Sequence, residues 1–589
     1  MSTTDQPDSR PDDAATGIRT EPAPEAVTGE KPGRVWRFVQ RRSSTGLVLG
    51  WLALLVSFAP SLLPRPWWVQ AVASALSATT GYAVGAVLGS LVAVVGAWLG
   101  VHVTIVDQAH RARLHLVLGL LALVITVVLW FAGYRGRRHS ARLVGLHAPS
   151  LGSDVLSLLA AVVLTTLILG VVWAVREAFR ASRFVLGFAL PRPLAGILAL
   201  CLVAGAGTWL STSVLAAQGL NALSASAREI NDQPPDGLHA PTSPLISGGP
   251  GSTQRWSDLG REGEIYTAET TTAAQITAIT GKNAMQPIRV YAAPTSGDVD
   301  PAQLVQTIVT ELNRTGALNR AYINLVGTTG SGWVDEYNVR SLEVLTGGDV
   351  ATAAVQYSFL PSVAQFLTNR ALPAEVGREL VQRVQQLIAQ RPVDKRPRLL
   401  LSGESLGALS TEAAFGNADQ LLGSVYGALW SGTPNSTPLW RSITASRQAG
   451  SPQVAPVIDN GAHIRFAGEP IQLQRDVYGR PLGSWTTPRV VFLQHPSDPI
   501  VWWDPSLIYS EPPWIQEHAG FDVDRNLHWY PLVTFWLTTV DLISANSAPG
   551  GHGHRYRAEQ VDGWAGVLGM SVGSIEKARI VASVEALPD

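Results

Sequence analysis

Ser405 lies in Gly403-Glu404-Ser405-Leu406-Gly407, a G-x-S-x-G pattern, directly after the apolar run Arg398-Leu-Leu-Leu-Ser and directly before Ala408-Leu-Ser-Thr-Glu-Ala-Ala, a good helix start. A serine on so sharp a strand-to-helix turn needs small neighbours for the backbone to pass, and its hydroxyl then projects beside a helix amino terminus. There the Leu406 N–H is placed to donate to an oxyanion. A serine nucleophile also needs a base, and the base an orienting acid. Asp498, in Gln494-His-Pro-Ser-Asp-Pro just past the apolar run Arg489-Val-Val-Phe-Leu, is the expected acid, with Asp504 and Glu511 in reserve. The simpler role for Asp498 is a turn or cap before Pro499. The candidate bases are His552 and His554 in the glycine-rich loop Ala548-Pro-Gly-Gly-His-Gly-His-Arg-Tyr. They cannot both serve, and the Gly-His-Gly setting favours His552 slightly; the competing reading is a surface loop of neutral histidines. His463, His495, His518 and His528 read as structural or surface residues. A second oxyanion donor is expected from Gly327-Thr-Thr-Gly-Ser-Gly-Trp, at Thr329 and Gly330; the Lys-Ser/Thr ending of a phosphate-cradling loop is missing. Such a set performs acyl transfer through a serine acyl-enzyme and requires no metal or organic cofactor.

These residues need a scaffold, and the pattern from residue 288 onward supplies one. Short apolar runs at 288–293, 321–326, 354–360, 398–402, 424–429 and 489–493 read as strands. Between them lie helical stretches at 301–315 and 334–345, a long one through Leu380, Val384 and Leu387, and another beginning near Arg557. Strands alternating with helices of this length predict a mostly parallel sheet covered on both faces, an α/β domain.

Ahead of this domain the composition changes. Residues 1–42 are rich in Pro, Asp, Glu, Thr and Ala and end in a basic flank, which reads as a disordered tail. Residues 43–220 read as an α-helical membrane bundle: five apolar stretches, at 46–63, 82–101, 114–134, 155–175 and 194–216, each approach the ~20 residues that cross a hydrocarbon core. Gly81, Gly85 and Gly89 share one helix face, where a neighbouring helix could approach closely. Flanking arginines favour a cytoplasmic amino terminus and, after five spans, an extracytoplasmic carboxy-terminal domain; the cluster Arg135, Arg137, Arg138 and Arg142 breaks that rule. Residues 221–255 read as a Pro/Gly/Ser-rich linker and 256–589 as the catalytic domain.

With serine, acid and histidine in this order on this strand pattern, the last 330 or so residues resemble an α/β hydrolase. The full layout is similar to a family of bacterial integral-membrane proteins with an amino-terminal multi-span domain and a carboxy-terminal hydrolase domain. The resemblance rests on Ser61-Leu-Leu-Pro-Arg, Trp256-Ser-Asp-Leu-Gly-Arg-Glu-Gly, Gly330-Ser-Gly-Trp-Val-Asp, Gly403-Glu-Ser-Leu-Gly, His495-Pro-Ser-Asp-Pro and Gly551-His-Gly-His-Arg-Tyr. It implies a triad of Ser405, Asp498 and one histidine of the last motif, in the membrane of a bacterial cell, and no particular substrate.

Other classes fit less well. A net charge of -1 gives no case for a nucleic-acid partner. The single cysteine, Cys201, excludes an internal disulfide and argues against a cysteine zinc site. The partners expected are therefore the lipid bilayer and a small-molecule or lipid ester. An aromatic insertion between Asp498 and His552, with Trp502, Trp503, Trp514 and Trp529, reads either as a lid or acyl-chain pocket or as ordinary core. The rival functions are a membrane transporter or an envelope scaffold carrying a catalytically silent hydrolase-like domain.

Overall fold

The computed structural model describes residues 43–100, 108–209, 217–294, 299–517 and 520–587. The amino-terminal tail, residues 210–216 of the fifth apolar stretch, and His518 lie outside the described residues.

Four helices are long and apolar enough to cross a membrane: α2 (Trp67–Trp98), α3 (Gln108–Leu143, apolar from Leu116), α4 (Leu151–Leu186) and α5 (Arg192–Trp209). Large apolar side chains cover their outer faces, as lipid contact requires. The expected count of five needs correction. The first stretch forms only α1 (Ser44–Val56), 13 residues long, or about 20 Å, short of the ~30 Å of a hydrocarbon core. It stops because Pro60 and Pro64 cannot continue a helix and because Leu62 joins the core of the carboxy-terminal domain. α1 lies against the glycine face of α2. A Cβ on Gly81 would sit 2.7 Å from the Ala53 Cβ, and one on Gly85 2.6 Å from the Thr45 carbonyl, so only glycine permits this approach.

The arginines that break the flanking-charge rule are partly neutralised. Arg137 lies buried in an ion pair with Asp154 at 2.5 Å, and Arg65 meets Asp541 of the carboxy-terminal domain at 2.8 Å, both side chains buried. Charges spent on ion pairs inside the protein carry little weight at a membrane surface. Arg176, Arg180, Arg183 and Arg192, at the opposite end of the bundle, line a cavity there, Arg180 pairing at the surface with Glu177 at 2.5 Å.

After α6 (Ala217–Asn231) the segment expected as a linker is partly structured. Ser247 N–H donates to the Arg289 carbonyl at 2.9 Å, and Ser247 Oγ donates to Glu311 at 2.8 Å, which ties the segment to the sheet edge.

The carboxy-terminal domain holds a seven-stranded sheet in the order β1-β3-β2-β4-β5-β7-β6, every pair parallel. Its strands are β1 (Ile288–Ala292), β2 (Tyr322–Gly327), β3 (Val350–Val355), β4 (Arg398–Glu404), β5 (Gly427–Ser431), β6 (Ile464–Ala467) and β7 (Arg489–Leu493). Covering helices include α7 (Pro301–Arg314), α8 (Glu336–Leu345), α9 (Ala371–Ala389), α10 (Leu406–Glu412), α11 (Val533–Asp541) and α12 (Glu559–Leu568). All residues of β1, β3 and β5 are buried, the continuous apolar pattern of a sheet covered on both faces. The third strand falls earlier than its expected position at 354–360, and β6 was not foreseen.

The aromatic insertion is core and domain interface rather than a lid. Trp502 and Trp514 are buried in the main core. Val533, Leu537 and Val540 of α11 pack on Val69 and Ala73 of α2, and Trp536 Nε1 donates to Thr80 Oγ1 at 3.0 Å.

Candidate active site

Ser405 sits between β4 and α10 with φ 57° and ψ −118°, a conformation that a non-glycine residue holds only when its surroundings enforce it. They do. A Cβ on Gly407 would lie 2.1 Å from the Gly327 carbonyl oxygen, and one on Gly403 2.5 Å from the Gly407 backbone. The turn therefore closes only with glycine at both positions. Ser405 N–H donates to the Ser431 carbonyl at 3.0 Å, which clips the elbow to the end of β5. The serine is nearly buried, at 7% exposure, and its hydroxyl makes no hydrogen bond among the described residues.

Asp498 follows β7. It caps the short turn after it, Oδ1 accepting the Ile500 N–H at 2.9 Å, so the capping role foreseen as the simpler alternative is real. Its other oxygen faces the histidine loop. His554 Nδ1 lies 2.7 Å from Asp498 Oδ2, and Tyr556 OH donates to the same oxygen at 2.8 Å. His554 is buried, and its ring lies against Gly432, where a Cβ would sit 2.4 Å from Cε1. The imidazole thus lies over the carboxyl ends of β4 and β5, beside the elbow. The preference for His552 meets a different geometry. His552 Nδ1 pairs with Asp522 at 3.0 Å and the ring is a quarter exposed. Asp522 also accepts a hydrogen bond from Ser497 Oγ, which in turn accepts the Gly553 N–H at 2.8 Å. This second cluster braces the histidine loop. The reserve acids stand apart: Asp504 caps its own turn through Ser506 N–H at 2.8 Å, and Glu511 is exposed.

The oxyanion donors divide. The Leu406 N–H, at the first position of α10, has no acceptor among the described residues. The Thr329 N–H donates to the Trp333 carbonyl at 3.0 Å, and Gly330 is pressed against the Leu360 carbonyl, 2.4 Å from where a Cβ would be. The Gly330 N–H, like that of Thr328, has no acceptor among the described residues, and the Thr328 nitrogen lies beside the elbow, 3.3 Å from the Cβ position of Gly407.

A buried carboxylate cluster adjoins the site, and the sequence reading missed it. Glu404 Oε1 lies 3.7 Å from His554 Nε2, and the carboxyls of Glu404 and Asp335 are close enough to interact. Asp335 caps α8 through the Tyr337 N–H at 3.0 Å and accepts from Gln560 Nε2 at 2.7 Å. Burial, then the neighbouring carboxylates Asp335 and Asp498, push Glu404 well above the ordinary carboxylate range. Burial likewise raises Asp335 to about 7. Two buried carboxyls in contact share a proton, because both cannot ionise there. His495, stacked on Tyr556 with ring centroids 4.2 Å apart, pairs with Glu559 at 3.1 Å. Only the G-x-S-x-G spacing could have pointed to Glu404, since it fixes the residue before the serine. Among the described residues no three His, Cys, Asp or Glu side chains converge as a metal site requires.

A family model described as an alpha/beta-hydrolase family matches residues 288–580, and a companion model for that family's N-terminus matches residues 58–270. The chain belongs to this α/β-hydrolase family. The first match runs from β1 to Ile580, inside the last helix, and includes the serine elbow, Asp498 and both loop histidines. The second begins at the turn after α1 and takes in the four long apolar helices, so the hydrolase domain and the bundle occur together as a unit of the family. Comparison with curated proteins and with solved structures finds no match.

Proposed function

We propose that the protein is a membrane-anchored serine hydrolase that works through an acyl-enzyme, an esterase or lipase-like enzyme on an amphiphilic ester. The observation that carries this reading is the His554–Asp498 pair at 2.7 Å, held over a serine whose backbone takes the strained elbow conformation. In this mechanism Ser405 Oγ attacks the ester carbonyl and passes its proton to His554 Nε2. Asp498 fixes the ring tautomer and stabilises the imidazolium. The Leu406 and Thr328 N–H groups hold the oxyanion, each worth about 10²–10³ in rate. His554 then returns the proton to the leaving alkoxide, and water or another alcohol takes the acyl group. Catalytic hydrogen bonds are often long in ligand-free enzymes and tighten with substrate bound; the Nε2 end of His554, here 3.7 Å from Glu404, is the one left to serve Ser405.

Fluorophosphonate labelling of the wild type and Ser405→Ala, in intact cells and in lysed membranes, tests this reading. Labelling that depends on Ser405 supports it. Absence of labelling in folded protein moves the assignment to a transporter or scaffold with a silent domain. The count of four long apolar helices removes the argument from five spans, so an extracytoplasmic placement of the hydrolase domain rests on the arginines at the far end of the bundle, and labelling of intact cells by an impermeant reagent tests it.

A further inference from the structure

Between the hydrolase-facing ends of α1 and α3 and the segment 524–530 lies a cavity of about 510 Å³, within the ~300–1,000 Å³ typical of small-molecule sites. Its walls change character along its length. Toward the bilayer it is lined by Leu55 and Val56 of α1 and by Leu129 and Ala132 of α3. Toward the hydrolase domain it is lined by Arg135, His139, Asp524, Asn526 and Tyr530. From Leu129 to His139 the α3 axis advances about 15 Å, room for part of an acyl chain and a headgroup.

The polar end holds two unmet demands. Arg135 is exposed and makes no hydrogen bond or ion pair among the described residues. Asp524 is 2% exposed; its Oδ1 accepts from Asn526 at 2.8 and 3.0 Å, while its Oδ2 is buried without a donor. A buried carboxylate oxygen left unpaired is costly, so a turn of the Asp524 side chain that brings it to a ligand donor in the cavity would be favoured. The cavity thus offers an apolar slot, a cation and a carboxylate, in that order from the bilayer or side by side at its end.

We propose that this cleft binds a phospholipid, its acyl chain between α1 and α3, its phosphate at Arg135 and His139, and a headgroup N–H or O–H at Asp524. That this lipid is what the hydrolase domain acts on rests on the reading above. The placement suits it, because Asp524 lies two residues from Asp522, which holds His552 of the histidine loop.

The test uses the full chain in nanodiscs doped with photoactivatable phosphatidylethanolamine or phosphatidylcholine, with the label mapped by mass spectrometry. Ethanolamine offers N–H donors to Asp524 and choline offers none, so the ethanolamine lipid should label peptides of α1, α3 and 524–530 about tenfold more strongly, the factor for a hydrogen bond to a charged group. Ala132→Trp fills the slot and should abolish that label, with elution volume and melting temperature checking its fold. Arg135→Gln, at an exposed position, should reduce it about fivefold, the worth of an exposed charge contact. Equal labelling by the two lipids, or labelling insensitive to both variants, would overturn the proposal and leave ordinary boundary lipid. Fluorophosphonate labelling of the same wild-type sample separates the two readings. Cleft labelling without Ser405 labelling refutes the hydrolase and keeps the site; the converse refutes the site alone.

Discussion

Replacing Glu404 by Gln should alter how stability depends on pH, because Glu404 and Asp335 share a buried proton that the unfolded chain would release. Both carboxyls have folded-state values raised above their unfolded ones, so the stability associated with them is fully present below about pH 4 and is lost as pH climbs to the folded value. For Asp335 the rise is from 3.8 to about 7. At about 1.4 kcal/mol per pH unit, the native state loses on the order of 4 kcal/mol across that window. For a domain of roughly 330 residues with an unfolding entropy of about 2.1 cal/mol/K per residue, this is about 6 °C in melting temperature. A glutamine at 404 removes the Glu404 proton from the balance and leaves Asp335, whose rise is set first by burial, as it is in the wild type. Wild type should therefore lose more melting temperature than the variant between pH 4 and pH 8, while both keep the loss of about 6 °C that belongs to Asp335. The other groups facing the pair, Glu559, Asp498, His554 and Tyr556, are common to both proteins and cancel. The assay is thermal unfolding of the detergent-solubilised full chain at pH 4, 5, 6, 7 and 8. Melting curves for the two proteins that stay parallel across this range would refute the shared proton.

Other variants probe neighbouring parts of the argument. His554→Gln should cut Ser405-dependent ester hydrolysis by about 10³-fold or more, and His552→Gln by about tenfold at most; the reverse ranking would return the base to His552. Gly407→Ala should abolish fluorophosphonate labelling, because its Cβ would meet the Gly327 carbonyl at 2.1 Å; full labelling would show that the elbow relaxes. Arg65→Ala leaves Asp541 buried and unpaired, and should cost about 3–5 kcal/mol on unfolding. Arg65→Met with Asp541→Leu should recover most of that loss, and a double variant as unstable as the single would show that the pair does more than compensate its own burial.

Geometry tied to local backbone was legible in the sequence. The serine elbow could be read because its glycines are adjacent to Ser405 and because strand, turn and helix follow one another within a few residues. The bundle could be read because lipid exposure demands long apolar runs, and the parallel sheet because its strands are apolar on both faces. The limits were set by contacts between residues far apart in the chain. α1 looked like a span by composition, but its length is decided by Leu62 joining a core more than two hundred residues away. β3 was misplaced because Ala351, Thr352, Ala353 and Ala354 are small and only burial between β1 and β2 marks them as strand. The choice between His552 and His554 could not be made from spacing, since both sit among glycines two residues apart. The proposal of His554 rests on which ring meets Asp498 and which meets Asp522, and Asp522 lies in an insertion with no motif of its own. The carboxyls of Glu404 and Asp335 are 69 residues apart in sequence. Only the packing of β4 against α8 and α12 brings them together beside the histidine, in a setting dry enough to hold a shared proton.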